Sequence, residues 1–324
     1  MTVLVAGAGG FIGGHLVRSL VEDGVAVRAV DIKPLGQWSQ VCEQAESVEG
    51  DCSDPATGVR ISRGIRTVYN LAADMGGMGF IESHKADCML SVLINTNMLK
   101  AARANDVSRY FFSSSACVYA ADRQRDQRVT ALREDDAYPA MPEDGYGWEK
   151  LFSERMCRHF LEDYGLETRV ARYHNVYGPI GTYDGGREKA PAAICRKIAH
   201  AVMTGPREIE IWGDGEQTRS FMYIDDCIRG TRAIATADFA NPVNLGSAEL
   251  VSINQMVSLV EEIAGVVVDR TYKLDAPQGV RGRNSDNELF QKIYGWEPSV
   301  GLREGLETTY GWIYDQMKAG FTRP

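Results

Sequence analysis

Short apolar runs alternate with stretches of helical periodicity along the first 173 residues. Val3–Ala6 is apolar at every position, as suits a strand buried on both faces. Leu16, Val17, Leu20 and Val21 follow at helical spacing, and that helix is expected to end near Gly24. Val25–Val30 predicts a second strand closed by Asp31, Glu46–Asp51 a third, and Thr67–Ala73 a fourth. A helix is expected over 85–105, a fifth strand over Arg109–Ser115, a helix over Gly147–Tyr164 and a sixth strand over Glu167–Tyr173. Strands alternating with helices imply an α/β chain built on a doubly wound parallel sheet.

Beyond 175 the pattern loosens. Asn175–Arg187 reads as a loop, Pro191–Met203 as a helix, and Ile209–Trp212 as a strand ending in the turn Gly213–Gly215. Ser220–Ile224 reads as a further strand, with a helix from Asp225. No repeat or flexible linker is evident. A smaller α/β lobe interwoven with the first is expected, with the cleft between them as the site.

Composition narrows the classes. The 324 residues carry a net charge of −9, which argues against non-specific nucleic-acid binding. Seven cysteines, at 42, 52, 88, 117, 157, 195 and 227, form no C-x-x-C pair, so neither a disulfide framework nor a zinc site is expected. No apolar run approaches the roughly 20 residues of a membrane span. The N-terminal apolar run passes at once into glycines, so no leader is expected there. A reduced, cytoplasmic protein is the expectation.

The glycines after the first strand carry the first chemistry. In the stretch Gly7–Gly13, Gly7 permits a tight turn, Gly10 lets backbone approach a pyrophosphate, and Gly13 lets helix and strand pack closely. The following helix start supplies amides and positive dipole. Asp31 can accept from a ribose hydroxyl and repels a 2′-phosphate, which favours NAD over NADP. The G-x-x-G-x-x-G spacing resembles the extended short-chain dehydrogenase/reductases. That resemblance implies further cofactor contacts from Phe11, Ile12, Asp51, Leu71 and Ala73, with Asp51 at the adenine. The expected division is then 1–173 as a Rossmann NAD-binding domain, with a returning segment near 217–245. Residues 174–216 and 246–324 would form the nucleotide-sugar lobe.

Tyr146 and Lys150 stand at i and i+4 and leave one helix face. An ammonium beside a phenol favours the phenolate, so Tyr146 can move a hydroxyl proton while Lys150 also holds a nicotinamide ribose. Ser115, at the end of the fifth strand, is the natural third member. The stretch SSSACVY (113–119) also brings Cys117 there, either as a packing residue or as a base.

The stretches NLAADMGGMGF (70–80), SSACVY (114–119), YGWEK (146–150), HNVYGP (174–179), GGREKAPAAICRK (185–197), WGDGEQTRSF (212–221) and GVRGRNSDN (279–287) resemble the GDP-mannose 3,5-epimerases. The resemblance implies Cys117 as base, Lys189 as acid, and Tyr146 with Lys150 as the redox pair. It implies substrate contacts from Gly76, Ser115, Cys117, Asn175, Glu188, Lys189, Ala190, Lys197, Gln217, Arg219, Ser220 and Arg281. It also implies a GDP-sugar substrate and a homodimer. Oxidation at C4 makes the C3 and C5 protons acidic, so the thiol would move protons on carbon, as a thiolate whose pKa a helix start or a nearby lysine is expected to lower. Arg219, Arg281 and Arg283 suit a diphosphate. His174 reads as a packed, hydrogen-bonded imidazole. The charged segment after Tyr119, AADRQRDQRVTAL, departs from the family pattern and is expected to border the sugar. The alternatives are a nucleotide-sugar 4-epimerase or 4,6-dehydratase, and a non-catalytic NAD-sensing scaffold. A 4-epimerase leaves Cys117 and Lys189 idle, a dehydratase wants a carboxylic acid at Ala116–Cys117, and a scaffold need not keep Tyr146 and Lys150.

Overall fold

A computed structural model describes residues 2–205 and 207–320; Met1, Pro206 and 321–324, which fall within the two expected domains, lie outside the described residues. In chain order the elements begin with β1 (Thr2–Ala6), α1 (Phe11–Glu22), β2 (Ala26–Asp31), β3 (Glu46–Glu49), α2 (Pro55–Ile61) and β4 (Ile65–Asn70). There follow α3 (Met78–Ser83), α4 (Lys85–Ala104), β5 (Arg109–Ser115), α5 (Tyr146–Tyr164), β6 (Glu167–Tyr173), β7 (Val176–Tyr177) and α6 (Ala190–Thr204). Next are β8 (Glu208–Trp212), β9 (Thr218–Ser220), β10 (Met222–Tyr223), α7 (Ile224–Thr236), β11 (Val243–Leu245) and β12 (Leu250–Ser252). The chain closes with α8 (Ile253–Ala264), β13 (Asp269–Lys273), β14 (Gly282–Arg283), α9 (Glu288–Tyr294) and α10 (Leu302–Lys318).

Seven strands form one parallel sheet in the order β11-β6-β5-β4-β1-β2-β3. The expected doubly wound sheet is therefore present. The central strands are apolar because helices cover both faces: α1 and α7 pack together on one side, and α2, α4 and α5 on the other. Leu4, Val68, Tyr110 and Phe112 are buried in one core and Val5, Leu16 and Phe111 in the other. Strand order reverses between β1 and β4, the kind of switch point at which sheets of this type take ligands beyond the C-terminal strand ends.

The second half holds smaller sheets. β9 pairs antiparallel with β12 and parallel with β14, β10 pairs with β7, and β13 pairs with β8. Two expectations change. The loop expected over 175–187 contains β7, whose two residues are too few to show a period. The strand expected over Ser220–Ile224 is split: Ser220 ends β9, Met222 begins β10 in another sheet, and Ile224 already opens α7. The short helix α2 is set by Asp54, whose carboxylate accepts from the Ala56 and Thr57 amides, with Pro55 in the first turn.

Candidate active site

The glycine turn is built as a close-packed joint. Gly7 has φ +83°, a left-handed conformation that side chains resist, and its amide donates to the Val30 carbonyl at 2.8 Å. A Cβ at Gly13 would lie 2.0 Å from the Gly7 oxygen, so α1 can approach β1 only because residue 13 has none. Phe11 and Ile12 open α1. Asp31, at the end of β2, accepts from the Gly9 amide at 2.9 Å and the Lys33 amide at 3.0 Å. That fixes the carboxylate beside the turn, with the Trp38 indole packed over Gly9. Asp51 lies just past β3 and accepts from the Ser53 amide at 2.7 Å. Leu71 donates to the Ala6 carbonyl at 3.0 Å, which brings 71–73 alongside the turn. A backbone cradle, a helix start and a fixed acid fit a dinucleotide.

At the end of β5 the three serines divide their work. Ser113 Oγ donates to the Asn70 carbonyl at 3.2 Å, and Ser114 Oγ to Glu154 at 2.5 Å, so both are structural. Ser115 remains. Its Oγ accepts the Cys117 amide at 3.2 Å, and the hydroxyl lies near enough to Tyr146 to favour the ionised phenol. The one turn Ala116–Val118 thus carries the thiol from the strand end to the phenol.

Tyr146 is the first residue of α5, and Lys150 lies one turn on, almost fully buried. The Lys150 ammonium is 5.4 Å from the Tyr146 ring centroid and 4.7 Å from that of Phe112. Glu149, also buried, sits 3.5 Å from the Lys150 nitrogen and accepts from Ser153 at 2.9 Å. Burial raises the Tyr146 pKa well above its ordinary value, Cys117 and Glu149 push it further, and Ser115 opposes them. The resting tyrosine is therefore a phenol, the form that donates a proton.

Cys117 is buried and meets a cluster that arrives from distant segments. Arg283 of β14 donates to its sulfur at 3.6 Å, to Gln124 Oε1 at 2.7 Å and to the Glu143 carboxylate. The sequence suggested that a helix start or a lysine would lower the thiol pKa. Instead it is raised to about 11: burial dominates and Glu143 adds to it, while Arg283 and Ser115 work the other way. Lys189, at the start of α6, is close enough to feel the thiol's charge. Burial lowers its pKa, and Cys117 and Cys227 counter that. An acid and a base with pKa values pulled toward each other can exchange protons with a substrate between them.

The other expected substrate residues gather in two groups. The Gly77 amide donates to the Arg187 carbonyl at 3.1 Å, which joins the Gly76 loop to Glu188 and Lys189, with Ala190 opening α6. Glu188 accepts from the Gly186 amide at 2.7 Å, and Lys197 donates to the Glu210 carbonyl at 2.5 Å. In the second group Asn175, at φ +36°, donates to the Ser220 carbonyl at 3.0 Å. The Ser220 hydroxyl and the Gln217 Oε1 are buried without a hydrogen-bond partner. Arg219 is buried among the carbonyls of Thr218, Gln278 and Val280. Burial, with Arg283 beside it, lowers its pKa to about 10.

The three arginines separate. Arg219 and Arg283 are register partners on β9 and β14, but Arg281 turns away to a two-bond pair with Asp214, each bond 2.8 Å. His174 packs as expected: it is fully buried, bonds Asn244 through Nε2 at 3.0 Å, and has a pKa lowered to about 3 by burial. Glu143 and Gln124 escaped the sequence reading. Glu143 precedes Tyr146 in an irregular stretch, and only the fold reveals what it touches. Gln124 lies in the charged segment after Tyr119 and accepts from the Arg283 guanidinium that reaches the thiol.

A family model described as the NAD dependent epimerase/dehydratase family matches residues 3–246. GDP-mannose 3,5-epimerase 1 of Oryza sativa subsp. japonica is 44% identical over 98% of this chain and 83% of its own. The UDP-glucose 4-epimerase of Thermotoga maritima, solved with UDP-glucose, superposes with a TM-score of 0.88 at 27% identity, covering 98% of this chain and all of that one. The UDP-glucuronic acid 4-epimerase of Bacillus cereus, solved with UDP-glucuronic acid and NAD, superposes at 0.84 and 25% identity, over 97% and 99% of the two chains.

Proposed function

We infer the chemistry from one premise: the chain belongs to the NAD-dependent epimerase/dehydratase family, and within it to the GDP-mannose 3,5-epimerases. It is an NAD-dependent isomerase that inverts C3, C5 or both in GDP-mannose through a transient 4-ketone. NAD, when bound, would supply the acceptor for the C4 hydride and give the hydride back, and so would be regenerated in each cycle. Gly7, Gly10, Phe11, Ile12 and Gly13 would hold its pyrophosphate, Asp31 its ribose and Asp51 its adenine. Lys150 would hold the nicotinamide ribose.

Tyr146 must first give up its phenol proton, which the positive charge of Lys150 favours; as phenolate it then receives the C4 hydroxyl proton, with Ser115 orienting that hydroxyl. The ketone acidifies its neighbours. Cys117, as thiolate, removes a proton from C3 or C5, and Lys189 delivers one to the opposite face. The single observation behind this reading is that Tyr146 and Cys117 pack in one buried cluster beside Ser115, with Lys189 within electrostatic reach. A 4-epimerase would use only the tyrosine.

The GDP-sugar is assigned to 174–216 and 246–324, with Gln217, Arg219 and Ser220 toward it; 1–173 and the segment near 217–245 carry NAD. The enzyme works in the cytoplasm as a homodimer. Met89, Leu90 and Leu93 on α4, and Trp148 and Phe152 on α5, are exposed large apolar side chains on two helices that pack together, which supports a second copy docking there.

The test is to incubate the protein with GDP-mannose in deuterated water without added NAD, and to follow the sugar by NMR. Deuterium at C5, or at C3 and C5, with new L-sugar signals is expected. No exchange from protein shown to contain NAD overturns the assignment.

A further inference from the structure

Moving protons on carbon leaves both catalysts in the wrong state. Once Cys117 has taken a proton and Lys189 has given one, the sulfur is a thiol and the nitrogen an amine. The next inversion needs one proton to leave sulfur and one to reach nitrogen. Burial makes direct exchange of the thiol with bulk water slow, so a route out of the cluster is needed.

Five ionisable groups face the thiol: Glu143 and Arg283, Arg219 from β9, Lys189 from the start of α6, and Tyr146 from α5. Glu143 is the one carboxylate among them. It is ion-paired to Arg283, which itself donates to the Cys117 sulfur, its amide donates to the Cys117 carbonyl at 3.0 Å, and its charge raises the thiol pKa. Its side chain is 10% exposed, and its second oxygen, Oε2, is buried with no partner. The same residue lines a cleft of about 760 Å³, together with Met78, Lys85, Arg125 and Arg281. Glu143 therefore shares Arg283 with the sulfur on one side and faces a route to solvent on the other, with an acceptor oxygen to spare.

We propose that Glu143 is the positioning residue of the Cys117 thiol and its proton exit. The step resets the base between inversions, and it rests on the epimerase reading above. The thiol proton passes to the Glu143 carboxylate, leaving a thiolate and a carboxylic acid, while Arg283 keeps its charge beside both. The acid then releases the proton to water in the cleft and becomes a carboxylate again. Lys189 recovers a proton from solvent. One proton crosses from sulfur to nitrogen by way of water, and nothing is oxidised or reduced. The arrangement also explains why an anion sits where a thiolate must form: the carboxylate holds Arg283 at the sulfur and takes the proton.

Isotope return measures this route. In deuterated water, a thiol that exchanges its proton before returning it labels unconverted GDP-mannose. A thiol that cannot exchange gives the original proton back. In the wild type, label is expected in recovered substrate as well as in product. In Glu143→Gln, labelling of recovered substrate relative to product formed should fall at least about tenfold, below the usual range for an acid–base group because water still reaches the site slowly. Glu143→Asp should restore part of it. A second readout needs no substrate: iodoacetamide modification of Cys117, followed by peptide mass spectrometry across pH. Glu143→Gln should lower the thiol's apparent pKa and speed its modification at pH 8, by about tenfold for each unit of fall. An unchanged label ratio in Glu143→Gln, or an unchanged modification profile, overturns the proposal. If NAD-loaded wild type neither converts nor labels GDP-mannose, the substrate assignment fails. The modification profile then still decides whether Glu143 controls the thiol.

Discussion

Replacing Gly13 by alanine tests the cofactor cradle with one methyl group. The new Cβ would lie 2.0 Å from the Gly7 oxygen, 2.7 Å from the Gly7 carbonyl carbon and 2.9 Å from the Ala8 Cα. All three are backbone atoms, so no side chain can swing aside. Ordinary contact begins near 3.5 Å, so α1 and the turn must part by about 1.5 Å. Leu16, Val17 and Leu20 of α1 are buried against the sheet and resist the move. Overpacking of this kind costs about 1–3 kcal/mol. The functional loss should be larger, because the parting draws the helix amides off the pyrophosphate, and an error of about 1 Å can cost a factor of about 10². The assay is the NAD content of purified protein, by release and chromatography, beside a thermal melt. The expected result is a variant that folds, melts several degrees lower and holds less than about a tenth of the wild-type NAD. Gly36→Ala is the control, since a Cβ there meets nothing within 4 Å. A Gly13→Ala protein with its full NAD complement would refute the argument, because the glycine turn would then not be the cradle.

Three other outcomes follow from the geometry. Cys117→Ser should stop deuterium exchange at C3 and C5 by at least about 10²-fold while sparing oxidation at C4, so enzyme-bound NADH should accumulate at 340 nm on adding GDP-mannose. Loss of the NADH signal along with exchange would mean that Cys117 serves the redox step instead. His174, whose pKa falls from 6.5 unfolded to about 3 folded, binds its proton more readily in the unfolded chain. The protein should therefore lose stability as pH drops from about 6.5 toward 3, and denaturant titrations of His174→Gln should show a shallower loss over that window. Leu93→Glu on α4 or Phe152→Glu on α5 should turn the proposed dimer into monomer by light scattering, since each charge would enter an apolar face; a dimer that survives both would place the interface elsewhere.

Much of the fold was legible because the long elements repeat a simple signal. Arg109–Ser115 and Glu167–Tyr173 were readable to the residue, and both are buried on both faces over most of their length. β7 and β10 were not, because two residues carry no period and their pairing is a tertiary matter. The Tyr146, Lys150 and Ser115 arrangement was also legible, since helix spacing and a strand end suffice to place it. The cluster at the thiol was not. Arg283 stands 166 residues from Cys117 and 140 from Glu143, and it reaches them only because β14 lies beside β9. Sequence could name a lysine or a helix start as the thiol's activator, but it could not weigh them against burial, which proves the stronger influence.

The short strand β11 constrains how such a protein can be rebuilt. The chain leaves the small sheet at β9, lends three residues to the edge of the large sheet at β11, and returns at β12. Asn244, in the middle of β11, bonds Tyr119, His174 and the Leu132 carbonyl, so that brief visit fastens three separate stretches. No single contiguous cassette contains the proposed sugar-facing residues without also carrying a stave of the large sheet. A chimera made by swapping one C-terminal block between relatives inherits a foreign β11 against a native β6. Recombination that respects the architecture must cut on both sides of 243–245 and keep those three residues with the parent of β6.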